Sequence, residues 1–193
     1  SILFGPKDPK NYIYPGKAGY WQTGFPGGSH EYLVNKGNGG RDMDGRTLFF
    51  YLATVNTPAM ALEIPGVGSQ YAFSSRDGSG AYLNGSNTYK LNIPANPPAQ
   101  KFWSFVVYDP QTRSMLQTGE MPYPSKNNKR NADMVKNADG SIDLYFGPQA
   151  PAGMEANWVK TVPGKGWFGI FRLYGPGQQW FDRTWKLGNI EKV

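Results

Sequence analysis

Alternation of apolar and polar residues dominates the chain from residue 69 onward. Residues 88–93 alternate strictly, with tyrosine, leucine and isoleucine on one side, as in a half-buried β-strand. Residues 102–108 and 167–174 are apolar almost throughout, which predicts two central strands of a sheet. Turn residues separate such runs about every ten positions, a spacing typical of an antiparallel sandwich or jelly roll. Shorter strand signals cover 71–73, 81–83, 114–117 and 142–146, and 119–131 is predicted as a loop.

The first third of the chain has a different pattern. Residues 1–42 are rich in glycine, proline and aromatic rings and keep neither helical nor strand periodicity, so we predict an irregular segment. Residues 44–56 form an apolar run; a cap from Asp42 or Asp44, helical spacing and Pro58 favour a helix over a strand. The predicted regions are therefore an irregular segment (1–42), a helix with its linker (43–60) and a β-sandwich (66–193).

Composition agrees with a folded β-rich protein and excludes several functions. The 25 glycines and 16 prolines suit many short strands, and the 12 tyrosines and 6 tryptophans supply a core where leucine and isoleucine are few. The chain has no cysteine, which excludes disulfides and thiolate chemistry. The net charge is +6, yet the basic residues are scattered and no nucleic-acid-binding motif accompanies them. No apolar stretch reaches the ~18 residues of a membrane span.

Residues for hydrolytic or metal chemistry are sparse. The single histidine, His30, lies in a glycine-rich stretch, and its neighbouring carboxylates lack zinc-site spacing. Asp109 and Asp139 precede proline and glycine, as turn residues do, although paired carboxylates also serve glycosidic chemistry. We predict no metal and no cofactor.

Arginines beside aromatic strands are the stronger candidates for a site. Arg172 interrupts the apolar run 167–174, on the face opposite Trp167, and Arg113 follows a turn. An arginine among apolar residues needs a carboxylate, carbonyl groups or an anionic ligand. Arg172 therefore either pairs with an acidic residue, for which Asp143 and Asp182 are the candidates, or binds a ligand. In the second case the predicted ligand-binding residues are Tyr108, Arg113, Arg172 and Tyr174.

Several strings between residues 66 and 176 resemble one bacterial family. They include residues 66–73 (GVGSQYAF), 102–118 (FWSFVVYDPQTRSMLQT), 137–148 (NADGSIDLYFGP), 162–167 (VPGKGW) and 172–176 (RLYGP). The chain is similar across roughly residues 30–193 to domain of unknown function 1214 (DUF1214), which usually follows a companion family, 1254. The resemblance implies a jelly-roll β-sandwich, a second sandwich upstream and a periplasmic or extracellular location. It supplies no catalytic residues.

Three functions stay open at this level. The first is a non-catalytic module that binds a glycan or another anionic ligand. The second is a hydrolase whose active site is shared with an upstream domain. The third is a structural or oligomerising domain, in which residues 1–42 and the helix after them mark where a companion domain or a second subunit packs.

Overall fold

The computed structural model describes residues 9–14, 16, 21–53 and 55–193, apart from the side chain of Lys36. Within these ranges the chain is mainly β, as predicted. Short 3-10 turns lie at Pro9–Asn11, Pro26–Gly28, Asn35–Gly37 and Glu155–Asn157. The helices are α1 (Met43–Ala53), α2 (Pro58–Ala61) and α3 (Gln178–Phe181), and the strands are β1 (Ser69–Ser74), β2 (Tyr89–Ile93), β3 (Ala99–Tyr108), β4 (Ser125–Asn127), β5 (Ile142–Gly147), β6 (Trp158–Lys160), β7 (Phe168–Pro176) and β8 (Ile190–Lys192).

The strands form two four-stranded sheets. The first has the order β1-β7-β3-β4, so the two long apolar runs are its central strands, as the sequence predicts. The second has the order β6-β5-β2-β8. Its β5–β6 pair is parallel, whereas we expected only antiparallel pairing. The turn at Glu155–Asn157 returns the chain to the starting end of β5, and β6 therefore runs in the same direction as its neighbour.

The predicted loop 119–131 contains strand β4, which corrects that expectation. β4 pairs with β3 at the edge of the first sheet and has only polar residues, Ser-Lys-Asn. An edge strand of three residues needs no apolar alternation, because its pairing rests on backbone hydrogen bonds. The segments 81–83 and 114–117 form only isolated bridges.

One apolar core fills the space between the sheets. Phe105 of β3 and Phe146 of β5 are fully buried, and their ring centroids lie 4.8 Å apart across the two sheets. Leu91 and Leu144, paired on neighbouring strands, are equally buried. In β2 and β5 the inward face is therefore the apolar face predicted from alternation.

The segment before β1 packs on the edge and outer face of the first sheet. Gln22 exchanges backbone hydrogen bonds with Phe73 of β1, which continues the sheet by one bridge. Helix α1 begins where Asp42 accepts a hydrogen bond from the Gly45 backbone at 3.0 Å. Phe49 of α1 belongs to a small second cluster with Phe25, separate from the main core. Within the described residues, no helix is long and apolar enough to cross a bilayer.

Candidate functional site

A cavity of about 280 Å³ lies between the outer face of the first sheet and the segment that contains α1 and α2. Most of its wall is apolar, and its polar atoms come from a few side chains. The lining residues are Thr23, Gly24, Phe25, Phe49, Leu52, Ala53, Met60, Ala61, Glu63, Gln70, Tyr71, Phe73, Tyr108, Phe168, Ile170 and Arg172. A concave, mainly apolar site with a few polar groups is typical of small-ligand sites.

Strand alternation creates the floor of the cavity. Tyr71 of β1 lies opposite Arg172 of β7, and Tyr108 of β3 lies opposite Phe168 of β7. Because their neighbours Phe171 and Val107 point into the core, these side chains point to the outer face. Three strands that are distant in sequence therefore place two phenols and one guanidinium on one surface.

Aromatic rings from the preceding segment form the roof. The rings of Phe25 and Phe49 lie 4.4 Å apart. Glycine is required at position 24, because a Cβ atom there would lie 2.8 Å from Cδ2 of Phe49. This close approach brings the Phe49 ring of α1 against the Gly24 backbone, and both residues line the cavity.

Arg172 is the cationic group of the cavity. Its Nη2 donates a short hydrogen bond to the Tyr108 hydroxyl, and its Cζ lies 5.7 Å and 6.0 Å from the ring centroids of Tyr108 and Tyr71. Its Nε is buried and has no hydrogen-bond partner among the described residues. Among the residues that the structure describes, no carboxylate forms a salt bridge with Arg172.

The acidic partners considered for Arg172 are engaged elsewhere. Asp143 accepts a hydrogen bond from Asn92 at 2.7 Å and lies 3.7 Å from Lys90, on the second sheet. Asp182 accepts hydrogen bonds from Thr184 in its own turn. Arg172 therefore forms a salt bridge with neither Asp143 nor Asp182.

The Tyr108 phenol remains protonated at neutral pH. Burial raises its pKa above the usual value, the Arg172 charge opposes that effect, and the nearby Tyr174 and Tyr71 phenols raise it further. Since its oxygen accepts from Arg172, its own O–H is a donor that a ligand can use.

The structure places the predicted site residues in three locations. Tyr108 and Arg172 both line the cavity. Tyr174 shares their sheet face but stacks on Phe102 at 4.1 Å, beyond the cavity wall. Arg113 lies beside α1, with its guanidinium 5.9 Å from the ring centroid of Tyr51.

Sequence reasoning missed four polar residues of the cavity, Thr23, Glu63, Gln70 and Tyr71. Tyr71 could have been identified from the sequence, because it lies on the same face of a predicted strand as Phe73, two residues further on. Glu63 lies in a proline-rich linker without periodicity, and no local signal places it near the sheet.

The two candidate carboxylates, Asp109 and Asp139, have structural partners. Asp109 accepts hydrogen bonds from the Gln111 and Thr112 backbones, and Asp139 accepts from Ser141, as turn residues do. The backbone carbonyl of His30 accepts from Asn56 at 2.7 Å. Across the described ranges, no group of His, Asp and Glu side chains is arranged to hold a metal ion.

Comparison with known proteins concerns the fold and the family. The crystal structure of the VPA0106 protein from Vibrio parahaemolyticus is similar, with a TM-score of 0.59 and 22% identity over 84% of this chain. A crystal structure of a putative uncharacterized protein from Burkholderia cenocepacia matches at 18% identity over 79% of this chain, with a TM-score of 0.43. The chain spans 39% and 43% of the lengths of these two proteins.

No curated protein matches the sequence. The model of the family described as "Protein of unknown function (DUF1214)" matches residues 68–178, from the start of the first sheet to the beginning of α3. This range contains β1, β3 and β7, and with them the floor of the cavity. The chain therefore belongs to the DUF1214 family.

Proposed function

We propose that this protein binds a small organic anion in the cavity over the first sheet, with the anionic group at Arg172 and Tyr108. The observation that carries the proposal is the state of Arg172. Its guanidinium lies in a mainly apolar cavity, its Nε is buried without a hydrogen-bond partner, and no acidic side chain among the described residues forms a salt bridge with it.

The free energy of binding at such a site favours an anionic ligand. A charged group among apolar walls loses hydration that a single neutral hydrogen bond does not replace. A carboxylate at Arg172 would add charge-assisted hydrogen bonds, and the Tyr108 hydroxyl would donate to the same group. Protein atoms already hold both side chains in place, so little side-chain entropy is lost on binding.

The shape and lining of the cavity favour an apolar body on that anion. Its volume of about 280 Å³ is roughly twice the ~150 Å³ of an engineered cavity that binds benzene. An aryl carboxylate or a medium-chain aliphatic carboxylate fits this size. A glycan fits less well, because its hydroxyl groups would face the rings of Phe25, Phe49 and Phe168 without hydrogen-bond partners.

Isothermal titration with benzoate, phenylacetate and octanoate tests the proposal. We expect Arg172→Gln to weaken binding on the order of tenfold or more, since one charge-assisted interaction is lost. Benzyl alcohol is the matched neutral ligand and should bind wild type and variant equally. Arg113→Gln is the matched protein control and should keep wild-type affinity, because Arg113 lies outside the cavity wall.

Two results would contradict the proposal. The first is an absence of binding by any of the carboxylates to a folded wild-type protein. The second is equal affinity in wild type and Arg172→Gln, with both proteins showing the same melting temperature.

The family resemblance supports further proposals about the whole protein. We propose jelly-roll connectivity, a periplasmic or extracellular location, and a companion domain or second subunit. The chain spans 39% of the Vibrio protein, which is compatible with an additional domain. Cell fractionation of the protein expressed from its complete reading frame tests the location, and light scattering tests self-association.

A further inference from the structure

A second, smaller cavity of about 140 Å³ adjoins the first. The two cavities share Thr23, Phe25, Glu63, Gln70 and Tyr71, so these side chains form a wall that both spaces have in common. The side chains that belong only to the second cavity include Lys10, Trp180 and Arg183. Its lining is therefore more polar than that of the first cavity.

Arg183 is the cation with available hydrogen-bonding capacity in the second cavity. It lies just after α3, and its backbone is left-handed, with φ +64°. One guanidinium nitrogen, Nη1, donates to the Trp180 carbonyl, and the group lies 5.5 Å from the Trp180 ring centroid. No acidic side chain among the described residues forms a salt bridge with it.

The other charged groups of this cavity have different roles. Lys10 Nζ lies 3.0 Å from Asp42 Oδ2, so its charge is already compensated. Glu63 lies on the shared wall, between the parts of the site that hold Arg172 and Arg183. Its negative charge disfavours an anionic group at the wall itself and leaves that position to an uncharged part of a ligand.

We propose that the two cavities form one bipartite site for an elongated dianion with an apolar middle, such as an aliphatic α,ω-dicarboxylate. This inference rests on the proposed function, because one carboxylate occupies the Arg172 end. The second carboxylate accepts hydrogen bonds from Arg183 in the polar cavity. The methylene chain lies in the mainly apolar first cavity and passes the shared wall beside Phe25 and Glu63.

Matched ligands of equal length test this assignment. Titration compares dicarboxylates from adipate to sebacate with the monocarboxylates from hexanoate to decanoate. For the length that spans both cavities, we expect the dicarboxylate to bind on the order of tenfold more tightly, the effect of one additional charge-assisted contact. Shorter dicarboxylates should lose this advantage.

Arg183→Asn is the informative variant, because asparagine adopts a left-handed backbone more readily than most residues. It should abolish the preference for the dicarboxylate and leave monocarboxylate affinity within about twofold, as expected when only the second contact is lost. Arg113→Asn is the matched control, since Arg113 is also a left-handed arginine, with φ +65°, and lies outside both cavities. It should bind both ligands as wild type does.

The possible failures are distinguishable. If Arg172→Gln leaves the affinity for both ligand classes unchanged, the proposed function is wrong, and this inference falls with it. If monocarboxylates depend on Arg172 but Arg183→Asn keeps the dicarboxylate preference, only the bipartite site is wrong. Tighter binding of 6-aminohexanoate than of adipate would assign the second group to Glu63 and would also overturn the inference.

Discussion

Replacement of Gly169 by alanine tests how closely the core is packed between the two sheets. Gly169 lies on β7, between Ser74 of β1 and Val107 of β3, and faces the core. A Cβ atom built on it would lie 2.7 Å from Cε1 of Phe105 and closer still to Cζ. Real Cβ atoms essentially never approach a heavy atom within 3.0 Å, so the ring or the strand must move.

Phe105 has little room to move. It is fully buried, its ring lies 4.8 Å from that of Phe146, and its edge-to-face partner Trp21 lies at 6.3 Å. Overpacking of this kind costs about 3 kcal/mol, the upper part of the usual range. Alanine restricts the unfolded chain and returns about 0.5–1 kcal/mol, so we expect a net loss of about 2 kcal/mol in the free energy of unfolding.

Urea unfolding followed by tryptophan fluorescence measures this loss. For a chain of this size it corresponds to a decrease in melting temperature of about 4–8 °C. Gly166→Ala is the matched control: its added Cβ would meet its nearest neighbours at 3.6 and 3.9 Å, and its φ is not left-handed. We expect that variant to lie within about 0.5 kcal/mol of wild type or slightly above it.

A double-mutant cycle identifies the cause. Phe105→Leu removes the ring that the new methyl group meets, so Gly169→Ala should cost less in that background than in wild type. Wild-type stability of Gly169→Ala would refute the steric argument. Equal costs in the two backgrounds would show that the loss arises from the strand backbone instead.

Two further predictions concern buried polar groups. Burial alone would raise the pKa of Asp109, but the hydrogen bond from Lys165 Nζ at 2.6 Å and those from two backbone amides hold it below its usual range. Its stabilising contribution is therefore present above about pH 4 and is lost as the pH falls through the folded pKa. The difference in unfolding free energy between wild type and Asp109→Asn should shrink on acidification, and a constant difference would contradict the assignment. The Asn157 side chain donates hydrogen bonds to the carbonyls of Val135 and Asp143 and accepts one from the Val135 amide. Asn157→Ala should therefore lower the free energy of unfolding, measured in urea, by about 3 kcal/mol. A loss below about 1 kcal/mol would show that water replaces these bonds.

The long strands and their two faces were predictable from the sequence. Alternation between positions 102 and 108 puts Phe105 and Tyr108 on opposite faces, and in the structure Phe105 lies in the core and Tyr108 on the outer face. The same rule separates Arg172 from Phe171. The strand faces could be predicted because consecutive side chains of a strand point to opposite faces, independently of the rest of the fold.

The short strands were not predictable in this way. β4, β6 and β8 have three residues each and lie at sheet edges, where backbone pairing and not an apolar face defines the strand. The parallel direction of β6 also depends on the course of the chain through Glu155–Asn157, which no pattern within β6 encodes.

The sequence by itself determined that the chain is rich in β-strands and that Arg172 and Tyr108 lie on the strand faces opposite Phe171 and Phe105. The tertiary structure decided that these two side chains meet, that Asp143 and Asp182 do not reach the arginine, and that α1 forms a roof over it. The physical reason is the range of the interactions. Strand faces follow from neighbouring residues, whereas a cavity is built by contacts between segments that only the packing of the complete chain brings together.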